Sequence, residues 1–193
     1  MSKKMTKNLP PDVLEKLKTY EALLLKWQKT INLVAPSTLP QAWERHFLDS
    51  LRLVDLIPQN LTVYDLGSGG GFPGMVLAIV RPDLKIYLIE SDQRKCAFLQ
   101  NVSRETFFPA TIHNSRIEEA AKILPQPDLL TARALSALNN LVEYMEMFHA
   151  PRGIFMKGDK VQEEIAEARK AYNFDLVLHD NNICDVTNVS QIS

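Results

Sequence analysis

The feature that most restricts how this chain can fold is the run Asp65-Leu66-Gly67-Ser68-Gly69-Gly70-Gly71-Phe72-Pro73-Gly74. It places five of the chain's seven glycines within eight residues. Ahead of it, Leu61 to Leu66 reads as a strand; behind it, Met75 to Val80 reads as a helix. Glycine tolerates positive φ and lets a ligand approach the backbone with no Cβ in the way. A plain turn gains nothing from five glycines, so the loop is read as a ligand cradle. Pro73 suits a first helical position, and the free N–H groups of a helix start attract an anionic group.

The same alternation continues downstream. Strands are expected at Leu84 to Glu90, near Ala110-Thr111-Ile112, and at Asp128 to Thr131, Gly153 to Lys157 and Phe174 to Leu178. Helices are expected at Asp92 to Thr106, Ile117 to Ile123, Ser136 to Phe148 and Val161 to Tyr172. Alternating strands and helices predict an α/β fold, a parallel sheet covered on both faces. The segment before Pro58 is different. Asp12 to Lys29 is amphipathic, with Val13, Leu14, Leu17, Leu24 and Trp27 at helical spacing; Pro36 and Pro40 bracket a loop, and Gln41 to Leu56 reads as a second helix. Residues 1–57 are therefore an N-terminal helical extension and residues 58–193 the α/β domain, expected to form one structural unit.

Two ligand classes suit the loop. Gly69, Gly71 and Gly74 fit the G-x-G-x-x-G pattern of dinucleotide sites. Gly67, Gly69 and Gly71 fit the shorter G-x-G-x-G pattern of methyltransferases. Asp65 at the strand end favours the second: a carboxylate there can anchor the amino-acid moiety of S-adenosylmethionine but is a poor neighbour for a pyrophosphate. Glu90 ends the next strand, where an acid accepts hydrogen bonds from ribose hydroxyls of either ligand.

Composition narrows the setting. There is no run of 18 apolar residues for a membrane span, and no apolar core follows the basic N-terminus as in a secretory signal. Cys96 and Cys184 are too few for a disulfide framework or a metal cluster, and a cytoplasmic location is expected. The net charge of −1 gives no support for nucleic-acid binding. The segment before Pro58, however, holds nine Lys/Arg against six Asp/Glu, about +3, leaving about −4 for the rest. A basic cap of this kind can grip phosphates or serve as a solvated surface.

The reaction is narrowed by what is missing. Methylating an exocyclic base amine uses an Asn-Pro-Pro-aromatic stretch after the fourth strand; here that place holds Thr131-Ala132-Arg133-Ala134-Leu135. Pyrimidine C5 chemistry needs a suitably placed cysteine. His46, His113, His149 and His179 show no ligand spacing and no partner for a nucleophile. A ring nitrogen such as guanine N7 has a free lone pair and no proton to lose, so proximity and in-line orientation suffice and no general base is expected.

These residues resemble the bacterial small-subunit rRNA guanine-N7 methyltransferases, also called glucose-inhibited division protein B. The blocks that carry the resemblance are Trp27-x4-Asn32-Leu33, Arg45-His46-x-x-Asp49-Ser50, the glycine loop with its Phe-Pro-Gly ending, Ser115 to Glu119, Arg133 to Leu138, and Lys157-Gly158. The resemblance implies a Rossmann-like class I fold, S-adenosylmethionine as cofactor, and methylation of one guanine in the 530 loop of 16S rRNA, free or in the 30S subunit. No membrane and no metal are expected; the oligomeric state is not set by the sequence, with a monomer favoured. By motif, Gly67 and Phe72 line the cofactor, Ile117 and Glu118 flank the adenine, and Glu90 holds the ribose. Arg133 lies near cofactor and base as a positioning group, steering RNA phosphate or the base edge; a salt bridge to Glu118 or Asp65 is its alternative. His46 and Asp49 pack beside the site. The polar tail from Asp180 stops where the family's last strand should begin, so the sheet is expected to be one strand short. A methyltransferase with another substrate, a nicotinamide oxidoreductase and a non-catalytic S-adenosylmethionine-binding domain remain as alternatives.

Overall fold

The computed structural model describes residues 9–108, 110–180 and 182–192. Helix α1 (Pro11–Trp27) opens the chain, with Leu17, Tyr20 and Leu24 buried along one stripe. Where a loop and one helix were expected up to Leu56, the backbone runs through a 3-10 helix (Pro36–Gln41), a π-helical stretch (Trp43–Leu48), a short α2 (Asp49–Leu51) and a 3-10 turn (Val54–Leu56). Pro40, which has no N–H to donate, lies inside the first of these, and beyond it the expected helix is split into π, α and 3-10 pieces.

The α/β part follows as β1 (Thr62–Leu66), α3 (Gly74–Val80), β2 (Lys85–Glu90), α4 (Gln93–Glu105), β3 (Thr111–Asn114), α5 (Ile117–Ile123), β4 (Leu129–Arg133), α6 (Leu138–Met147), β5 (Arg152–Met156), α7 (Val161–Ala168), β6 (Tyr172–His179) and β7 (Ile183–Gln191). The strand order is β3-β2-β1-β4-β5-β7-β6. Strands β1 to β5 are parallel, and β7 lies antiparallel to both β5 and β6.

The expectation of a missing last strand is therefore corrected: β7 is present, inserted between β5 and β6. Its polar composition hid it. Ile183, Cys184 and Val186 are buried, while Asp185 accepts both arms of Arg152 at 2.8 and 2.7 Å. The sheet is correspondingly mixed rather than wholly parallel.

Successive strand residues face opposite sides of a sheet, and the core divides accordingly. Val63, Leu88, Leu129, Ile154 and Ile183 pack with α3, α4 and the N-terminal extension. Tyr64, Ile89, Leu130, Phe155 and Cys184 pack with α5, α6 and α7. Residues 9–57 thus join α3 and α4 in one of the two layers that cover the sheet, through Leu17, Tyr20, Phe47 and Leu51 among others. Arg81 ties the junction by donating to the carbonyls of Val54, Ile57 and Pro58.

Candidate active site

Strand order reverses between β1 and β4, and in open α/β sheets this switch point, at the strands' C-terminal ends, forms the ligand crevice. Two cavities occupy it. The larger, of 860 Å³, is lined by the glycine loop, the segment Asn32–Pro36, Arg45, His46, Asp49, Arg133 and Lys157. The smaller, of 640 Å³, is lined by Glu90, Ser115, Ile117, Glu118 and Tyr144. Both include Gly67 and Leu135, so they meet over the first glycine.

The loop's conformation needs its glycines. Gly67, Gly69 and Gly71 have φ of 59°, 55° and 90°. A Cβ on Gly71 would strike Tyr20, Leu99 and Met75, and one on Gly74 would strike Asp65 and Leu88. Pro73 precedes α3 as its cap residue rather than occupying its first turn. The loop is braced from both sides: Tyr20, on α1, donates its buried hydroxyl to the Gly70 carbonyl, and Glu90 Oε2 accepts the Gly69 N–H at 2.8 Å. Glu90 Oε1 accepts the Asp92 N–H at 2.8 Å. Each Glu90 oxygen retains a second lone pair for a ligand hydroxyl.

Asp65 lies apart from the cavity-lining residues, fully buried beneath the loop. Its Oδ1 accepts from Thr131 Oγ1 at 2.9 Å, and its Oδ2 has no partner. Burial pushes the carboxyl up to about 6, against Ser68, Thr131, the Gly74 amide and Arg133, which pull it down.

Arg133 ends β4 with its side chain only 16% exposed. Nη1 donates to the Arg45 carbonyl at 2.9 Å, Nη2 faces His46 Nδ1 at 2.5 Å, and the guanidinium lies 5.1 Å from the Phe72 ring centroid. Its carboxylate neighbour is Asp49, at 3.9 Å, rather than Glu118 or Asp65. Phe72 itself stacks on Tyr20 and on His46, at 5.2 and 5.1 Å between centroids. Burial, then the charges of Arg133 and Arg45, hold His46 down at about 4. Next to Arg133, Ala134 takes a φ of 52°, a strained conformation for a non-glycine residue at the rim of both cavities.

Gly67, Gly69, Phe72 and Arg133 thus meet in the larger cavity, and Glu90, Ile117 and Glu118 in the smaller. Sequence reasoning missed Tyr20, Thr38, Lys95 and Glu164. Tyr20 could have been found, since it continues the Leu17–Leu24 stripe of α1. Thr38 carries no local signal. Among the described residues, no group of three or more His, Cys, Asp or Glu could hold a metal ion, and no helix is long and apolar enough to cross a membrane.

Solved structures of similar shape include precorrin-6y C5,15-methyltransferase from Geobacter metallireducens (TM-score 0.53, 13% identity, 81% of this chain and 89% of that one). Another is in a fibrillarin/Nop5p complex (TM-score 0.54, 16% identity, 74% and 80%). At these identities the likeness is one of fold: a Rossmann-like class I methyltransferase sheet. Sequence relatives are much nearer. Ribosomal RNA small subunit methyltransferase G of Parvibaculum lavamentivorans is 47% identical over 174 residues, covering 87% of this chain and 77% of the relative. The protein of the same name from Sinorhizobium medicae is 43% identical over 194 residues, covering 93% and 91%. The model of the GidB family, rRNA small subunit methyltransferase G, matches residues 13–190. The chain belongs to the rRNA small subunit methyltransferase G family.

Proposed function

We propose that this protein transfers the methyl group of S-adenosylmethionine to N7 of a guanine in the 530 loop of 16S rRNA. The observation that carries the reading is the pair of cavities meeting over Gly67, one flanked by Glu90 and the other by Arg133.

The site fits the cofactor's chemistry. Ser115 lines the smaller cavity, and its buried Oγ has no hydrogen-bond partner, which leaves its hydrogen-bonding capacity for a ligand. Ile117 and Leu135 offer apolar surface for an adenine, and Glu90 has lone pairs for ribose hydroxyls. Gly67, Gly69 and Phe72 would hold the remainder in the larger cavity. Asp65, behind the loop, supports it and contributes negative potential.

When bound, the cofactor supplies an electrophilic methyl on sulfur. The N7 lone pair forms the new N–C bond as the S–C bond breaks; the positive charge passes to the base and no proton moves. The protein's task is therefore placement. Arg45, Lys95, Arg133 and Lys157, against Asp49 and Glu164, give the larger cavity a net positive lining suited to RNA phosphates. A cytoplasmic location follows from that substrate.

The test is transfer of labelled methyl from S-adenosylmethionine to undermethylated 16S rRNA, naked and in 30S particles, with the labelled base mapped. Label at N7 of one 530-loop guanine is the expected result. Tight cofactor binding with label elsewhere, or with none, would overturn the assignment.

A further inference from the structure

Thr38, His46 and Arg133 form a chain of hydrogen bonds whose proton directions can be read from its two ends. Thr38 Oγ1 lies 2.7 Å from the Ala35 carbonyl oxygen, which only accepts, so the hydroxyl proton points there. The same Oγ1 lies 2.8 Å from His46 Nε2. With its proton committed, the hydroxyl can only accept at that contact, which requires Nε2–H. On the opposite side of the ring, Arg133 Nη2 faces Nδ1. A guanidinium has donors and no acceptor, so Nδ1 must be bare. A carbonyl at one end and a guanidinium at the other thus fix a neutral imidazole in one tautomer.

The surroundings agree with that protonation state. His46 is buried and stacked on Phe72. The charged groups about it are Arg133 from β4, and Arg45 and Asp49 from its own segment. Burial, with the charges of Arg133 and Arg45, holds the imidazole well below its ordinary range. An imidazolium would set an N–H against the guanidinium N–H groups.

We propose that His46 is a positioning residue: held as its Nε2–H tautomer by Thr38, it presents a bare Nδ1 that fixes the Arg133 guanidinium over Phe72 at the methyl-transfer pocket. The role rests on the reaction and site proposed above. Since N7 methylation releases no proton, a histidine base has nothing to take, and the ring acts only through Arg133. Two of the arginine's donors are engaged, by His46 and by the Arg45 carbonyl, and the others serve the substrate.

The experiment pairs a tautomer measurement with single-turnover kinetics on the full chain. Long-range proton–nitrogen NMR of histidine-labelled protein at neutral pH is expected to show His46 with Nε2 protonated and Nδ1 bare. Thr38→Val is expected to abolish that fixed tautomer and slow methyl transfer about tenfold. Thr38→Ser restores both. His46→Asn keeps an acceptor for Arg133 and retains more transfer than His46→Leu, which is slowed about 100-fold. S-adenosylmethionine affinity changes much less than the rate in every case. If His46→Leu fails to fold, the Thr38→Val and Thr38→Ser pair decides alone. A protonated Nδ1 in the wild type overturns the proposal. So does a Thr38→Val rate equal to wild type, or a wild-type rate that rises with pH through a histidine titration and loses that rise in His46→Asn. A wild-type chain that transfers no methyl to rRNA overturns the reaction; one that does, with Thr38→Val undiminished, overturns only the role of His46.

Discussion

Replacing Tyr20 with phenylalanine isolates what the N-terminal helix does for the glycine loop. The ring remains between Phe47 and Phe72, at 4.9 and 5.2 Å between centroids, and only the hydroxyl is lost. That hydroxyl donates to the Gly70 carbonyl, and both residues are buried. A buried carbonyl left without a partner costs about 2 kcal/mol. For a chain of this size that lowers the melting temperature by roughly 4–8 °C. The lost bond also leaves the loop less firmly held in its ligand-ready form. If half the cost is specific to that form, the S-adenosylmethionine Kd rises about fivefold. Calorimetric binding and thermal unfolding measure the two effects separately. Leu24→Ala is the control, on the same helix and fully buried. It removes core packing worth about 2–5 kcal/mol and should leave Kd near wild type. An unchanged melting temperature in Tyr20→Phe would refute the buried-carbonyl argument. A lower melting temperature with wild-type Kd would show that α1 merely covers the core.

Four further outcomes are expected. Arg133→Ala should cut methyl transfer about 10–100-fold while S-adenosylmethionine affinity stays within about threefold; equal loss in both assays would remove its substrate-positioning role. Asp65 is raised by burial to about 6 from an ordinary 3.8. The folded state therefore binds its proton more tightly, and the resulting stability, about 2–3 kcal/mol, is full below pH ~4 and lost as pH rises through ~6. The stability of Asp65→Asn relative to wild type should accordingly climb between pH 4 and 7.5 in denaturant titrations, and a pH-independent difference would show that the carboxyl is not perturbed. Gly74→Ala places a Cβ against Asp65 and Leu88 and should cost about 1–3 kcal/mol; a wild-type melting curve would mean that α3 can move away from β1. Deleting residues 183–193 removes β7 from between β5 and β6 and leaves both edges unpaired. Circular dichroism should show loss of the cooperative fold, and a cooperative, wild-type-like transition would mean the strand is dispensable.

The alternating elements from β1 to β6 were legible because short apolar strand runs alternate with amphipathic segments of helical period. The strand β7 was not. Its apolar residues are interrupted by Asp185, Thr187, Asn188 and Ser190. Asp185 becomes acceptable there only through Arg152, 33 residues earlier and on the neighbouring strand. The segment from Gln41 to Leu56 also departs from expectation: its apolar spacing resembles one helix, but a π-helical stretch and a closing 3-10 turn divide it. At the site, the glycine loop and Glu90 announced themselves because each plays its part from a fixed place at a strand end. His46 was placed beside the site by the resemblance alone, and its role was not legible, since its chemistry depends on a threonine eight residues away and an arginine 87 residues away.

Those distances bear on the boundary near residue 57. The sheet and its glycine loop form a cofactor scaffold shared with proteins of 13–16% identity, so the scaffold alone cannot set the reaction. The residues that close this site come from before β1: Tyr20 holds the loop, His46 and the Arg45 carbonyl hold Arg133, and Asn32 to Pro36 line the larger cavity. The extension also shares a hydrophobic core with α3 and α4. The extension therefore belongs to both the fold and the site, and the two meet at Tyr20, Arg45 and His46. A substitution that breaks one of those bonds should lower methyl transfer before it unfolds the sheet, because the bonds that aim Arg133 are few and the contacts that bury the sheet are many.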